Sequence, residues 1–202
     1  MDKERKKSFL QDPQNIIALG VTLISVCALI VSIKQTQIMS EERNMSFEQA
    51  KASVWPRLDI GPNYSMSDED DSIEKFSLIL NNGGIGPAII TQVRVYYEDE
   101  IVNDWWELFS YFNLPDTLNI SIANADFHNS IIKIGEERTV LDLNENLPIA
   151  QAFFDHQSKI TIEIFYESIY KERWKLIFNN WTTKTEALEE LPQLTEGELF
   201  RN

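Results

Sequence analysis

Residues 16–33 read IIALGVTLISVCALIVSI, a run of eighteen residues without a single charge. As a helix rising about 1.5 Å per residue, this run would be about 27 Å long, close to the hydrocarbon thickness of a bilayer. A cleaved signal peptide has a shorter apolar core and then a small-residue cleavage site, whereas here Lys34 and Gln35 follow directly. A core helix is usually amphipathic, and this run is apolar all round. We therefore predict a single, uncleaved N-terminal transmembrane helix.

Basic residues on either side of the run indicate its orientation. Four precede it and three follow within twenty residues: Lys3, Arg5, Lys6 and Lys7, then Lys34, Arg43 and Lys51. Cytoplasmic flanks carry the excess of Lys and Arg, so the N-terminus is expected in the cytoplasm and the C-terminal domain outside. The predicted location is the bacterial inner membrane, in a single pass. Because the margin is one residue, a cytoplasmic C-terminal domain is the alternative.

Small and hydroxylated residues recur along one side of the run, at Ala18, Thr22, Ser25 and Ser32. Such a stripe lets helices approach closely in lipid, and its hydroxyls can bond across helices. The alternative is that the hydroxyls bond to preceding carbonyls of their own helix. The stripe predicts helix–helix packing, so the expected partners of this segment are the lipid bilayer and a second copy of the chain.

The charge of the chain limits its partners. Net charge is −14, and from Pro56 onward 11 basic and 26 acidic residues give −15. A surface this acidic repels phosphate backbones, so general nucleic-acid binding is disfavoured. The only cysteine, Cys27, lies within the apolar run, so the domain has neither a disulfide nor a cysteine-based metal site.

Composition divides the chain into five segments. We predict a basic polar tail over 1–15, the transmembrane helix over 16–33, a helical stalk over 34–55, a folded domain over 56–180 and an acidic C-terminal tail over 181–202. The stalk is rich in Gln, Glu, Met and Ala, and Pro56 disfavours helix at the residue before it.

Alternating apolar and polar residues predict strands over Leu58–Ile60, Phe76–Leu80 and Ile89–Tyr97, and a hairpin over Lys159–Phe178. Further short strands are expected at 119–122 and, as a strand–turn–strand pair, at 131–134 and 138–143. The segments 104–112 and 149–156 have helical composition, with Asp104 as a capping residue and Pro148 at the start of the second. The segment 63–74 is expected to be a loop. The predicted fold is mainly β: an antiparallel immunoglobulin-like β-sandwich with one or two short inserted helices.

Two stretches carry a resemblance. One is Asn82-Gly83-Gly84-Ile85-Gly86-Pro87-Ala88, with Trp55-Pro56-x-Leu58 upstream, and the other is Ile164-x-Tyr166-x-Ser168-x-Tyr170-x-x-x-Trp174. With the N-terminal span, they resemble uncharacterised bacterial single-span membrane proteins over about residues 15 to 180. The resemblance implies a membrane-anchored sandwich domain, and it carries over no catalytic or ligand-binding residue.

Candidate chemistry is sparse. A strand follows the glycine-rich stretch 82–87, whereas a phosphate-binding loop must lead into a helix, so we predict a turn with glycines at positive φ. The acidic run 68–71 lacks the ligand spacing of an EF-hand and is expected to be a solvated loop. The two histidines are His128 and His156, and Asp155, Glu163 and Glu167 are the nearest carboxylates considered for the latter. No nucleophile elbow and no His-Glu-x-x-His is present, so no catalytic residue, cofactor or metal ligand is predicted.

The most aromatic segment contains Trp105, Trp106, Phe109, Tyr111 and Phe112. These side chains either pack a helix onto a sheet or form an exposed patch that binds a partner. The favoured function is a membrane-anchored binding module, without catalytic activity, for an unknown protein or small ligand. The alternative is an oligomeric membrane effector, of a defence or toxin type, whose domain senses a ligand and whose spans perturb the bilayer.

Overall fold

The computed structural model describes residues 13–69, 72–114, 123–124 and 129–201. Its first element is helix α1, which runs without a break from Pro13 to Ala52 and therefore includes most of the predicted stalk. None of its residues is buried, and its most apolar window of 18 residues has a mean hydropathy of 2.8. The described chain thus has one helix long and apolar enough to cross a membrane.

The remainder of the described chain is built mainly from strands. They are β1 Leu58–Met66, β2 Ile73–Asn82, β3 Ala88–Tyr97, β4 Glu100–Val102, β5 Ala123–Asn124, β6 Ile131–Ile132, β7 Glu137–Asp142, β8 Ile160–Glu167, β9 Arg173–Asn179 and β10 Thr182–Leu188. Two short helices lie in the connections: α2 Trp105–Ser110 and α3 Leu147–Asp155. Single turns of 3-10 helix occupy Gln157–Lys159 and Glu196–Glu198.

The strands form two antiparallel sheets. The first has the order β1-β2-β7-β5, and the second has the order β10-β9-β8-β3-β4, with β6 also paired to β3. Every described pairing is antiparallel. The observed architecture is therefore a long apolar helix followed by a sandwich-like pair of antiparallel sheets.

The strand periodicity produces the core. Alternate residues of a strand point to the same face, and on β2 and β8 the apolar set includes Leu78, Leu80, Ile162 and Ile164, each with 0% exposure. Burying such side chains stabilises the fold by roughly 1.5–3 kcal/mol each relative to leaving them in water. The predicted hairpin at 159–178 is present, because β8 and β9 pair in register from Thr161 with Asn179 to Glu167 with Arg173.

The two helices begin where capping chemistry allows. The Asp104 side chain accepts a hydrogen bond from the Glu107 backbone N–H at 2.8 Å and so caps α2. Helix α3 carries proline in its first turn, where a missing N–H costs no helical bond. It packs on the first sheet through Phe153, whose ring centroid lies 5.2 Å from that of Phe76.

Two loop predictions differ from the structure. The segment 63–74 is a shorter loop than expected, because β1 continues to Met66 and pairs with the start of β2. The segments 131–134 and 138–143 do not form a hairpin: β6 pairs with β3, whereas β7 pairs with β2 in the other sheet. Long-range pairing outweighs the local turn at Gly135, whose φ is +68°. The predicted strand at 119–122 lies outside the described residues.

The C-terminal residues are also more ordered than the predicted acidic tail. Thr182–Leu188 form β10, an edge strand that pairs along its whole length with β9. Further on, Phe200 is 2% exposed and its ring stands edge-on to Trp105 at a centroid distance of 4.8 Å. The sequence of β10 is mostly Thr and charged residues, so it shows no apolar alternation. Backbone pairing with β9, and not a pattern of apolar side chains, holds this segment in the extended conformation.

Candidate functional site: a cleft between two edge strands

A cleft of about 420 Å³ opens between β1 and β10, the edge strands of the two sheets. Its size falls within the range of small-ligand pockets. One wall is the segment from Trp55 to Asp59, which enters and begins β1, and the other is formed by side chains of β10. Aromatic rings from β8 and β9 complete the lining. We refer to this feature as the edge cleft.

Three aromatic side chains line the edge cleft. Tyr166 of β8 and Trp174 of β9 are opposite each other in the strand register, and their rings stack at a centroid distance of 5.6 Å and an angle of 25°. Trp55 lines the cleft from the β1 side and is 50% exposed. Flat rings on two sides favour a ligand with a planar group, because offset stacking adds to apolar burial.

Two charged residues stand at the β1 side of the cleft. Arg57 is exposed, and its guanidinium forms no ion pair with any carboxylate in the described part of the chain. Asp59 accepts a hydrogen bond from the Thr183 hydroxyl at 2.6 Å, which links β1 to β10 across the mouth of the cleft. Arg57 therefore offers a cation with unused donors to a polar group of a ligand, since guanidinium presents five N–H donors.

The Tyr166 hydroxyl joins the two walls. It lies close to the backbone N–H of Leu58 on β1 and to the Thr185 hydroxyl on β10. Burial of the ring raises the pKa of Tyr166 above its ordinary value, and these two groups, with the nearby Arg57 charge, lower the pKa by less than burial raises it. The phenol is thus held neutral.

Replacing Tyr166 with phenylalanine tests this role. At pH 8 we expect Tyr166→Phe to lower the free energy of unfolding by about 1–2 kcal/mol, because the variant loses the polar contacts of the hydroxyl with Leu58 and Thr185. Folding favours the neutral phenol, so the contribution of Tyr166 to stability is fully present below pH 10 and is lost as the pH rises further. The thermal midpoint of the full chain in detergent, measured between pH 8 and 11, should fall more steeply for wild type than for Tyr166→Phe. Parallel declines would contradict the assignment.

The wall of the cleft is supported by the turn between β2 and β3. Asn82 is fully buried, and its side-chain oxygen accepts hydrogen bonds from the backbone N–H groups of Arg57 at 3.2 Å and Gly84 at 3.0 Å. Its amide nitrogen donates to the carbonyls of Gly86 at 2.8 Å and Ile132 at 3.0 Å. One side chain thereby joins the turn, the start of β1 and β6.

The glycines of this turn have a different role from the predicted one. Gly83, Gly84 and Gly86 do not have positive φ; they are required where two backbone segments come into contact. A Cβ on Gly84 would lie 2.3 Å from the Arg57 nitrogen, and a Cβ on Gly86 would lie 1.9 Å from the Val54 carbonyl oxygen. The prediction of a strand-connecting turn is confirmed, whereas its reason is steric contact with the segment 54–57.

The predicted aromatic patch is not an exposed surface. Trp105, Phe109 and Phe112 are 1%, 3% and 6% exposed, because α2 packs them into the core. Tyr111 is half-buried and stacks on Tyr97 at 4.7 Å, and only Trp106 is largely exposed, at 51%. Four of the five residues are therefore buried or half-buried, and Trp106 alone does not make a shared partner-binding face.

Two hydroxyl groups of the predicted membrane stripe bond within their own helix. Thr22 donates to the Ala18 carbonyl and Ser25 donates to the Val21 carbonyl, both at 2.8 Å. The Ser32 carbonyl accepts a hydrogen bond from Thr36 at 3.0 Å. Helix–helix packing through Ala18, Thr22, Ser25 and Ser32 stays a prediction, and the Thr22 and Ser25 hydroxyls do not need a second helix to satisfy them.

The residues considered for acid–base chemistry are separated. The His156 ring bonds through Nδ1 to the Tyr97 hydroxyl at 3.1 Å. Glu163 pairs with Arg94 at 2.6 Å and with Lys175 at 3.2 Å, and Glu167 pairs with Lys171. His128 lies outside the described residues, as does part of the acidic run 68–71. In the described ranges no cluster of three His, Cys, Asp or Glu residues is arranged to hold a metal ion.

Sequence reasoning found part of the edge cleft without recognising it. Trp55, Tyr166 and Trp174 belong to the two quoted stretches, from which no ligand-binding residue was predicted. Arg57, Asp59 and the threonines of β10 were missed, because no sequence signal shows that β1 and β10 face each other from different sheets. The chain matches no protein-family model and no curated protein.

Proposed function

We propose that this chain is a membrane-anchored binding module that holds a small organic ligand in the edge cleft. The observation that carries the proposal is the convergence of both quoted stretches on one cavity. The first contributes Trp55 and the turn that supports it, and the second contributes Tyr166 and Trp174. Stacked rings beside the exposed Arg57 guanidinium favour a ligand with a planar ring and a polar substituent.

The anchor and its orientation form part of the same proposal. The length and apolar composition of α1 support a single span, and the basic residues before it support a cytoplasmic N-terminus and a domain outside the bacterial inner membrane. Hydroxyls already bonded to carbonyls of the same helix favour a passive anchor over an oligomeric effector whose spans perturb the bilayer.

We further propose that the sandwich is immunoglobulin-like. In that fold, one sheet has strands in the order A-B-E-D and the other contains C, F and G. With β1, β2, β5 and β7 as A, B, D and E, the first sheet has this order, and β3, β8 and β9 correspond to C, F and G. Strand β10 then extends the second sheet beyond G.

A non-catalytic role is proposed for the cleft because its polar groups are bonded to one another. The Thr183 hydroxyl donates to the carboxylate of Asp59, which has no second hydrogen-bond or ion-pair partner in the described part of the chain, and the lining contains no histidine, lysine or cysteine. An activated nucleophile is paired with a base that a third group orients, and no such third group accompanies Asp59 among the described residues. The arrangement is suited to holding a ligand.

Filling the cleft tests the proposal. Ala187 lines the edge cleft, and Leu188, its neighbour on the other face of β10, does not. We add the small-molecule fraction of a bacterial lysate to the full chain in detergent and follow unfolding by tryptophan fluorescence. A ligand at about 100 times its dissociation constant adds about 2.7 kcal/mol, or roughly 5–10 °C in midpoint. Wild type and Leu188→Trp should respond, and Ala187→Trp should not. A response by Ala187→Trp, or none by wild type, would refute ligand binding in the cleft.

A further inference from the structure

The free edge of β10 differs from the other sheet edges of the described chain. Strand β10 has seven residues, contains no proline and pairs with β9 without a register shift. The edge strands β4 and β5 have only three and two residues. Strand β1 contains Pro62, which has no N–H, and its register shifts at Ser65. Of these edges, β10 alone is long, regular and free of proline and register shifts, and its two charged residues, Lys184 and Glu186, have opposite signs.

The hairpin before β10 determines which backbone groups face the free edge. Asn180 and Trp181 form a two-residue loop with φ of +47° and +59°, as in a type I′ turn. The flanking residues Asn179 and Thr182 then form a hydrogen-bonded pair, and such pairs alternate along an antiparallel ladder. The N–H and C=O groups of Thr183, Thr185 and Ala187 therefore point away from β9.

We propose that β10 pairs antiparallel with β10 of a second copy of this chain, about a two-fold axis at Thr185. Thr185 then exchanges two hydrogen bonds with Thr185 of the second copy, and Thr183 is opposite Ala187 of the second copy. This register uses all seven residues of the strand. It also joins the two six-stranded sheets into one continuous sheet, which is an isologous contact.

Charge complementarity selects this register. Lys184 lies opposite Glu186 of the second copy, and Glu186 lies opposite Lys184 of the second copy. Within one chain these two side chains are already paired at 2.7 Å, and they are 73% and 38% exposed. Pairing therefore creates a square of alternating charges on the outer face. Registers centred on Lys184 or on Glu186 would place like charges directly opposite each other, which is destabilising.

The self-pairing goes beyond the proposed ligand binding and does not depend on it. The side chains of Thr183, Thr185 and Ala187 line the edge cleft, whereas pairing uses their backbone groups and the side chains of the other face. A seven-residue strand edge is a small contact. Two chains anchored in one membrane are held at a high effective concentration, so the contact is expected to form when both chains are membrane-anchored.

Cysteine cross-linking in membranes tests the two-fold axis. The background variant is Cys27→Ser, which removes the only native cysteine. Adding Thr185→Cys places two sulfurs at a hydrogen-bonded pair whose Cα atoms are about 5.5 Å apart, within disulfide range. The matched control adds Thr182→Cys instead, at which the two Cα atoms would be roughly 20 Å apart. After oxidation we expect a cross-linked dimer with Thr185→Cys and at least fivefold less with Thr182→Cys. Equal yields, or no dimer from Thr185→Cys in folded protein, would overturn the proposal.

Charge exchange tests the register independently. In the Cys27→Ser/Thr185→Cys background, Lys184→Glu places acidic side chains opposite each other and should reduce the cross-linking yield roughly tenfold. Adding Glu186→Lys to that variant restores opposite charges across the contact and should restore the yield. A single reversal without effect, or a double exchange that fails to recover the dimer, would overturn the register. Tryptophan emission of each variant verifies that the domain is folded.

Discussion

Replacing Asn82 with alanine should lower the free energy of unfolding of the domain by about 3–5 kcal/mol. Asn82 is fully buried and both atoms of its amide are used, so truncation leaves four backbone groups without their partner. Two of them, the N–H groups of Arg57 and Gly84, hold the segment that forms one wall of the edge cleft. The thermal midpoint of the full chain in detergent, followed by tryptophan fluorescence, should fall by roughly 10 °C.

The matched control for this variant is Asn81→Ala. Asn81 is the neighbouring residue on β2, it is half-buried, and it is not part of the Asn82 hydrogen-bond set. The Asn81→Ala variant should change the free energy of unfolding by less than about 1 kcal/mol. If both variants lose the same stability, the amide of Asn82 does not hold the turn against β1.

A methyl group on Gly86 should have a comparable or larger effect. The added Cβ would lie 1.9 Å from the carbonyl oxygen and 2.3 Å from the carbonyl carbon of Val54, and backbone atoms cannot move aside as a flexible side chain does. Overpacking typically costs 1–3 kcal/mol, and a clash with backbone at this distance should cost about 3 kcal/mol or more. Gly86→Ala should therefore displace the segment 54–57 from the turn.

The same turn contains the control. A Cβ on Gly83 would meet nothing closer than the side-chain oxygen of Asn81 at 3.8 Å, so Gly83→Ala should be close to neutral. Trypsin reports the local effect, because Lys51 precedes the segment and Arg57 is its last residue. Cleavage at these two residues should be faster in Gly86→Ala and unchanged in Gly83→Ala. Equal cleavage and equal thermal midpoints for the two variants would show that close backbone contact is not the reason for glycine at position 86.

Local patterns in the chain predicted most of the elements. The strands around Leu78, Val93 and Ile162 follow from alternation of apolar residues, and α2 begins at the capping residue Asp104, as its sequence indicates. These features depend on residues close together in the chain. The predictions that failed concern pairings that no local pattern shows. Strands β6 and β7 pair with strands distant in the sequence, and β10 is a polar edge strand without apolar alternation.

The candidate site was predictable only in pieces. The aromatic residues 105–112 formed the most conspicuous cluster in the sequence, but a helix can bury three aromatic side chains as readily as expose them, and α2 buries them. Trp55, Tyr166 and Trp174 were visible in the quoted stretches. Their meeting at one cavity depends on which sheet edges lie side by side, and no local signal encodes that.

The sequence by itself determined a long apolar N-terminal helix, a domain built from antiparallel strands, and an acidic charge. Each follows from a local property: an uncharged run of bilayer length, a period of two, and a count of ionisable groups. Tertiary structure alone decided where the cleft lies, why the glycines at 84 and 86 are needed, and that β10 is left with an open edge. Those features arise where segments far apart in the chain come into contact, and contact distances depend on the packing of the whole sandwich.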